Sequence, residues 1–198
     1  MLSLKPFSAD GNIEKWSDLG VQADLRLLSQ DTFEVLFKWT DTSSDLIFGG
    51  ESRGGRLMGL WQHTCFEAFI EPVDSPAFVS KDLEGSVLYY ELNLSTFKGW
   101  NLFGFNQPRL PQPPTELREA QLVSYDLQHG ESGGVLKVVV QVAGAQWNKV
   151  KISLCSVLVS KSRGTSYWSF KHAGERPDFH RFDSFIIERS YTAERVST

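Results

Sequence analysis

The feature that most constrains this chain is a two-residue alternation of apolar and polar side chains, in many runs too short for helices. In Phe33-Glu34-Val35-Leu36-Phe37-Lys38-Trp39 the odd positions are apolar, while the even ones include Glu34 and Lys38. Successive side chains of a strand point to opposite faces, so this run has one buried face and one mostly wet face. Leu136, Val138, Val140 and Val142 alternate with Lys137 and Gln141 in the same way. In 87–95, Leu88, Tyr90, Leu92 and Leu94 share one face, and Tyr89, Glu91 and Asn93 the other. Further strands are predicted at 21–29, 64–71, 100–105, 117–127, 151–160, 165–171 and 183–188. Hairpin turns fit Ser29-Gln30-Asp31 and Ser162-Arg163-Gly164-Thr165. The only candidates for helix are 12–19 and 76–84, and neither carries a long helical stripe. About ten short strands without βαβ spacing predict an all-β sandwich or barrel.

The connections support one domain. Pro108, Pro111, Pro113 and Pro114 fall within one run that cannot supply regular ladder donors, so it is predicted as an exposed loop. It has strand-like sequence on both sides, and residues 1–198 are read as a single domain. Gly49, Gly50, Gly54 and Gly55 mark a flexible segment, which matches neither a P-loop nor a dinucleotide fingerprint.

Composition excludes several function classes. Apolar residues make up 41% and charged residues 22%, which argues against disorder. The net charge of −4 and the lack of a long basic run argue against nucleic-acid binding. No apolar stretch is long enough to span a membrane, and the opening MLSLKPFSADGNIEKW lacks the apolar core of a signal peptide. A cytoplasmic location is therefore expected, with Cys65 and Cys155 buried and free. Asn93-Leu94-Ser95 is a glycosylation sequon by pattern, but lies in a predicted strand. Exposed edge strands leave homodimerisation open.

The chain is rich in aromatic residues, with 14 Phe, 6 Trp and 5 Tyr. Aromatics suit sheet cores, and they also line sugar, haem and peptide sites. The densest cluster of unusual residues is 60–69, which sets Trp61 and His63 just before a strand carrying Cys65, Glu67 and Phe69 on one face. A glutamate on an apolar face is either paired or at the mouth of a site. Glu91 and Asn93 point the same way and can offer an acceptor and an amide to a hydroxylated ligand, or be ordinary sheet surface. Trp168, His172, Asp178 and His180 follow near the C-terminus. Two tryptophans can clamp the C–H faces of a pyranose while Glu, Asn, Arg or His read its hydroxyl edge, with Trp61 and Trp168 as candidates. Trp16, Trp39 and Trp147 are assigned to packing.

Other chemistries have weaker support. The histidines match no zinc spacing, and no metal ligands are assigned. A haem reading would rest on Met58 opposite His172 or His180. A glycosidase would need Glu67 paired with Glu91 or Asp178. No nucleophile elbow is present. The chain is read as a non-catalytic carbohydrate-binding domain, with a haem-binding module or a structural or interaction domain as the alternatives and a glycoside hydrolase less favoured.

The strings LWQHTCFEAFIEP, YYELNLS, Trp100 and SYWSFKHAGERPDFHRFDSFIIE together resemble the bacterial DOMON-like proteins related to type 9 carbohydrate-binding modules. The likeness runs from about residue 4 to residue 189. It implies a β-sandwich of two antiparallel sheets, jelly-roll-like, that binds a sugar or haem. By position in the motifs, Trp61 and Trp168 correspond to the sandwiching tryptophans and Glu67 to the acidic residue of the following strand. Arg109 is a looser match to a polar contact in the long loop. Some modules of this type hold structural calcium, and the chain shows no matching acidic cluster. The implied partner is a small sugar, with no cofactor assigned.

Overall fold

In the computed structural model, residues 1–8, 13–49 and 54–192 are described. The alternating runs become strands, and the odd positions of Phe33–Trp39 are buried as expected. The strands are β1 (Leu2–Pro6), β2 (Leu19–Leu27), β3 (Thr32–Asp41), β4 (Gly55–Arg56) and β5 (Cys65–Val73). They continue as β6 (Tyr89–Leu94), β7 (Gly99–Phe105), β8 (Thr115–Glu116) and β9 (Ala120–Gly130). The last are β10 (Gly133–Val142), β11 (Lys149–Ser160), β12 (Gly164–Ser169) and β13 (Ile187–Ser190).

These strands form an all-β sandwich. One sheet has the order β1-β2-β3-β10-β9, and the other β4-β7-β6-β5-β11-β12-β1. Every pairing is antiparallel except the short β4–β7 contact. β1 belongs to both sheets: Leu2, Ser3 and Leu4 pair with β2, and Lys5 and Pro6 pair with β12. Switching sheets along one strand closes that side of the sandwich and protects an edge. β11 is long enough to serve two neighbours on one side, β13 with its first half and β12 with its second.

Aromatic contacts join the layers. Phe66 of β5 lies 5.1 Å from Phe37 and 4.9 Å from Trp39, both on β3. Trp147 packs between Phe33 at 5.5 Å and Tyr90 at 5.3 Å. The two indoles assigned to packing at these positions are thus core residues. The pairing of β10 with β3 requires Gly133: its φ is +143°, and a Cβ there would come within 2.3 Å of the Trp39 carbonyl oxygen.

The two sheets differ on their outer faces. The first alternates buried and wetter residues, whereas β6 and β7 are buried on both faces. Loop 106–114 and segment 170–186 contribute to the cover on that second outer face. This cover makes room for a site there.

The predicted helices are corrected. Of 12–19, residue 12 lies outside the described residues, and only Glu14–Trp16 forms a short 3-10 turn. Segment 76–84 forms no helix. Neither has an apolar stripe to bury, so the chain turns there without propagating a helix. Gly50 to Arg53 of the predicted flexible segment also lie outside the described residues. The turn at 162–165 is present, with Gly164 at φ +78° closing the β11–β12 hairpin.

Candidate functional site

Parity along three neighbouring strands builds the site. On β5, Cys65, Glu67 and Phe69 face outward, while Phe66, Ala68 and Ile70 face the core. On β6, Tyr89, Glu91 and Asn93 take the outward face, opposite Phe105, Phe103 and Asn101 of β7. Glu67 sits directly across from Asn93 on one side and Cys155 on the other. Above this row lies a hollow of about 290 Å³, near the lower limit of roughly 300–1,000 Å³ for small-ligand clefts. Its floor includes Glu67, Phe69 and Glu91. Trp61, Val157, Tyr167 and Phe179 supply apolar wall, and Arg109, Gln112, Asp178 and His180 supply polar groups.

The rim is tied down by a hydrogen-bonded chain. The Tyr89 hydroxyl accepts the Arg109 backbone N–H at 2.9 Å and lies 2.8 Å from His180 Nδ1. With the Tyr89 hydroxyl donating to Nδ1, the neutral imidazole carries its proton on Nε2. Nε2 is 3.6 Å from Glu91 Oε2. Burial, then the nearby Arg109 charge, pulls the His180 pKa down to about 4, so the ring is neutral. Arg109 takes a left-handed backbone (φ 61°) and reaches Asp178 Oδ1 with Nη2 at 2.6 Å. The Asp178 carboxylate also accepts the His180 N–H at 3.0 Å, which joins the two loops.

The floor is unusually acidic for its burial. Glu91 Oε1 accepts the Asn93 amide at 2.8 Å. Glu67 Oε1 is buried without a hydrogen-bond partner. Burial raises the Glu67 pKa well above the ordinary carboxylate value, and the neighbouring Glu91 charge adds to this. Burial likewise pushes Glu91 up to about 7, against the Asn93 hydrogen bond. Burial thus favours the protonated forms of the pair.

Five predicted residues line the hollow: Trp61, Glu67, Glu91, Arg109 and His180. Asn93 is wholly buried beneath it, donating to Glu91 and accepting the Cys65 thiol at 3.5 Å. His63 is exposed after the 3-10 turn Leu60–Gln62 and lies outside the hollow. His172 is also outside; its Nε2 meets the Lys5 carbonyl at 2.8 Å.

Trp168 requires the main correction. It is 3% exposed, packed in the core between the sheets, with Nε1 donating to Ser166 Oγ at 2.9 Å. It is on the opposite side of its strand from the hollow and cannot clamp anything against Trp61. The aromatic that reaches the hollow is its neighbour Tyr167, 38% exposed. The hairpin register carried the signal. It pairs Ser156 with Trp168 and Val157 with Tyr167, so Tyr167 shares the outward face of Val157. Phe179 and Gln112 were missed because they stand on loops, where no period reports a direction.

The residues do not fit haem. Met58 is 49% exposed, with Sδ against Asn101 Nδ2 at 4.0 Å, and it does not line the hollow that holds His180. No Met–His axial pair is therefore assembled. Calcium is not fitted either: among the described residues no three His, Cys, Asp or Glu side chains gather as a metal-holding group. Both cysteines are buried and free, and burial raises both thiol pKa values, that of Cys155 to about 12.

The sandwich and its covered second sheet define the fold class: it is the fold of the type 9 carbohydrate-binding modules. One such module, from Caldicellulosiruptor kristjanssonii in complex with cellotriose, superimposes with a TM-score of 0.56 at 8% identity, over 100% of this chain and 87% of that one. A second, from the same organism in complex with glucose, gives 0.55 at 8% identity, over 100% and 88%. No protein-family model matches the sequence. No curated protein matches it either.

Proposed function

We propose that the hollow binds one sugar unit and that the domain is non-catalytic. The observation that carries this reading is the meeting of Trp61, Tyr167 and Phe179 with Arg109, Gln112, Asp178 and His180 around one small hollow. A pyranose presents C–H bonds from its faces and hydroxyls from its edge. Aromatic walls suit the faces, and the rim offers both donors and acceptors to the edge. The shared fold with modules described in complex with glucose and cellotriose supports the choice of ligand class. The clamp proposed here uses Trp61 with Tyr167, in place of Trp168.

Glucose and cellotriose titrations followed by tryptophan fluorescence test this. Trp61→Ala and Tyr167→Ala should each weaken binding at least about ten-fold, or roughly 1.4 kcal/mol. Unchanged affinity in both variants would reject the clamp. A glycosidase needs one of its two carboxyl groups ionised as nucleophile or base. Burial raises the pKa of both Glu67 and Glu91, which disfavours an ionised nucleophile or base at the floor.

A further inference from the structure

We infer that the floor of the hollow is a site for a protonated primary amine, supplied by the Glu67 and Glu91 carboxylates. If the sugar reading above holds, the amine belongs to an amino sugar. Glu91 lies two residues before Asn93, the partner of Glu67, so the two acidic side chains are diagonal neighbours on one face. Diagonal positions of this kind are about 7 Å apart between Cβ atoms, a gap that one ammonium group can bridge.

The acceptor inventory points to a cation. Glu67 Oε1 has no partner, and Glu91 Oε2 has only the 3.6 Å approach of His180 Nε2, too long for a hydrogen bond. A buried carboxylate is costly unless it meets a proton or a positive charge. Among the described residues the floor itself holds no Lys or Arg, and the Arg109 charge acts on Glu91 from the rim. Arg109 is the one Lys or Arg among the described residues that lines the hollow, and its guanidinium is committed to Asp178 at the rim. A sugar hydroxyl brings one donor and lone pairs that oppose those of the carboxylates. An ammonium brings three donors, no lone pairs and a full charge.

The empty site is then held by protons that the ligand displaces. The titratable groups facing the pair are Cys65 and Cys155 on the floor, Tyr89 and His180 beside it, Tyr167 on the wall, and Arg109 and Asp178 above. Burial holds both thiols and the Tyr89 phenol in their neutral forms, and His180 is neutral as well. Proton release on amine binding therefore comes from Glu67 and Glu91.

Calorimetry near neutral pH, in buffers of different ionisation enthalpy, tests the inference. The probes are glucose, its mono-amino analogues with one amine at each ring position, and hydroxyl-free cyclohexylmethylamine. At least one amino analogue should bind about ten-fold more tightly than glucose and release close to one proton. Glu67→Gln and Glu91→Gln should each reduce that preference to less than about two-fold. Amino analogues that bind no better than glucose would overturn the inference and leave the sugar reading standing. A preference that survives both substitutions would also overturn it. If cyclohexylmethylamine binds with proton release while no sugar binds, the amine site stands and the sugar reading fails. If no amine of either kind binds, the amine site is rejected.

Discussion

Replacing the floor carboxyls should change how stability depends on pH, in steps that can be counted. Glu67 and Glu91 both have folded pKa values above the ordinary 4.5, because burial disfavours their charged forms. Between pH 4.5 and about 7 the folded protein keeps protons that the unfolded chain has lost. Each such group gives stability that is full below 4.5 and is lost as pH rises through its folded value. His180 has the opposite sign. Its folded value, about 4, lies below the ordinary 6.5, so its contribution is lost as pH falls from 6.5. One proton is worth about 1.4 kcal/mol per pH unit. From pH 4.5 to 6.5 these three groups together lower wild-type stability by about 2 kcal/mol, two carboxyls outweighing one histidine. Either single Gln variant should be nearly flat for these groups, and the double variant should rise by about 2 kcal/mol over the same window. His172, with a lowered pKa, and Glu71, with a raised one, act alike in every variant and drop out of the comparison. Asp18, held down at about 2 chiefly by its hydrogen bond from Arg163, has finished titrating below the window. Urea unfolding at a series of pH values gives the slopes. Equal slopes for the wild type, Glu67→Gln, Glu91→Gln and the double variant would refute the reasoning.

Other outcomes follow from the same structure. Trp168→Ala should cost about 3–5 kcal/mol in urea unfolding, whereas Tyr167→Ala should stay within about 1 kcal/mol, because only the first empties the core. Arg109→Ala should cost less than about 1 kcal/mol of stability, since its ion pair with Asp178 is half exposed, and should weaken sugar binding in the fluorescence titration. Cys65 and Cys155 should resist a thiol reagent in the native protein and react once urea unfolds it, as mass spectrometry can score.

The fold was legible because strand period is local information. The alternation in Phe33–Trp39 and around Glu91 set which side chains share a face, and the structure keeps both assignments except at Leu88, which precedes β6 and is exposed. The acidic floor was legible for the same reason, since Glu67 interrupts an apolar face. Trp168 failed through its parity: one residue along a strand exchanges core for site, and the choice rests on pairing across the hairpin rather than on composition. His63 and His172 failed because closeness in sequence to the clustered aromatics does not bring a side chain into the hollow. The hollow itself depends on loops 106–114 and 170–186 folding back over β6 and β7, a long-range arrangement with no local pattern.

Indole N–H resonances of the isotope-labelled protein, followed during addition of glucose and then cellotriose, probe the proposed pocket most directly. A saturable shift of the Trp61 signal together with the Tyr167 ring, while Trp168 stays in place, is the expected outcome. A Trp61 signal that does not move at saturating sugar, or a response centred on Trp168, would contradict it.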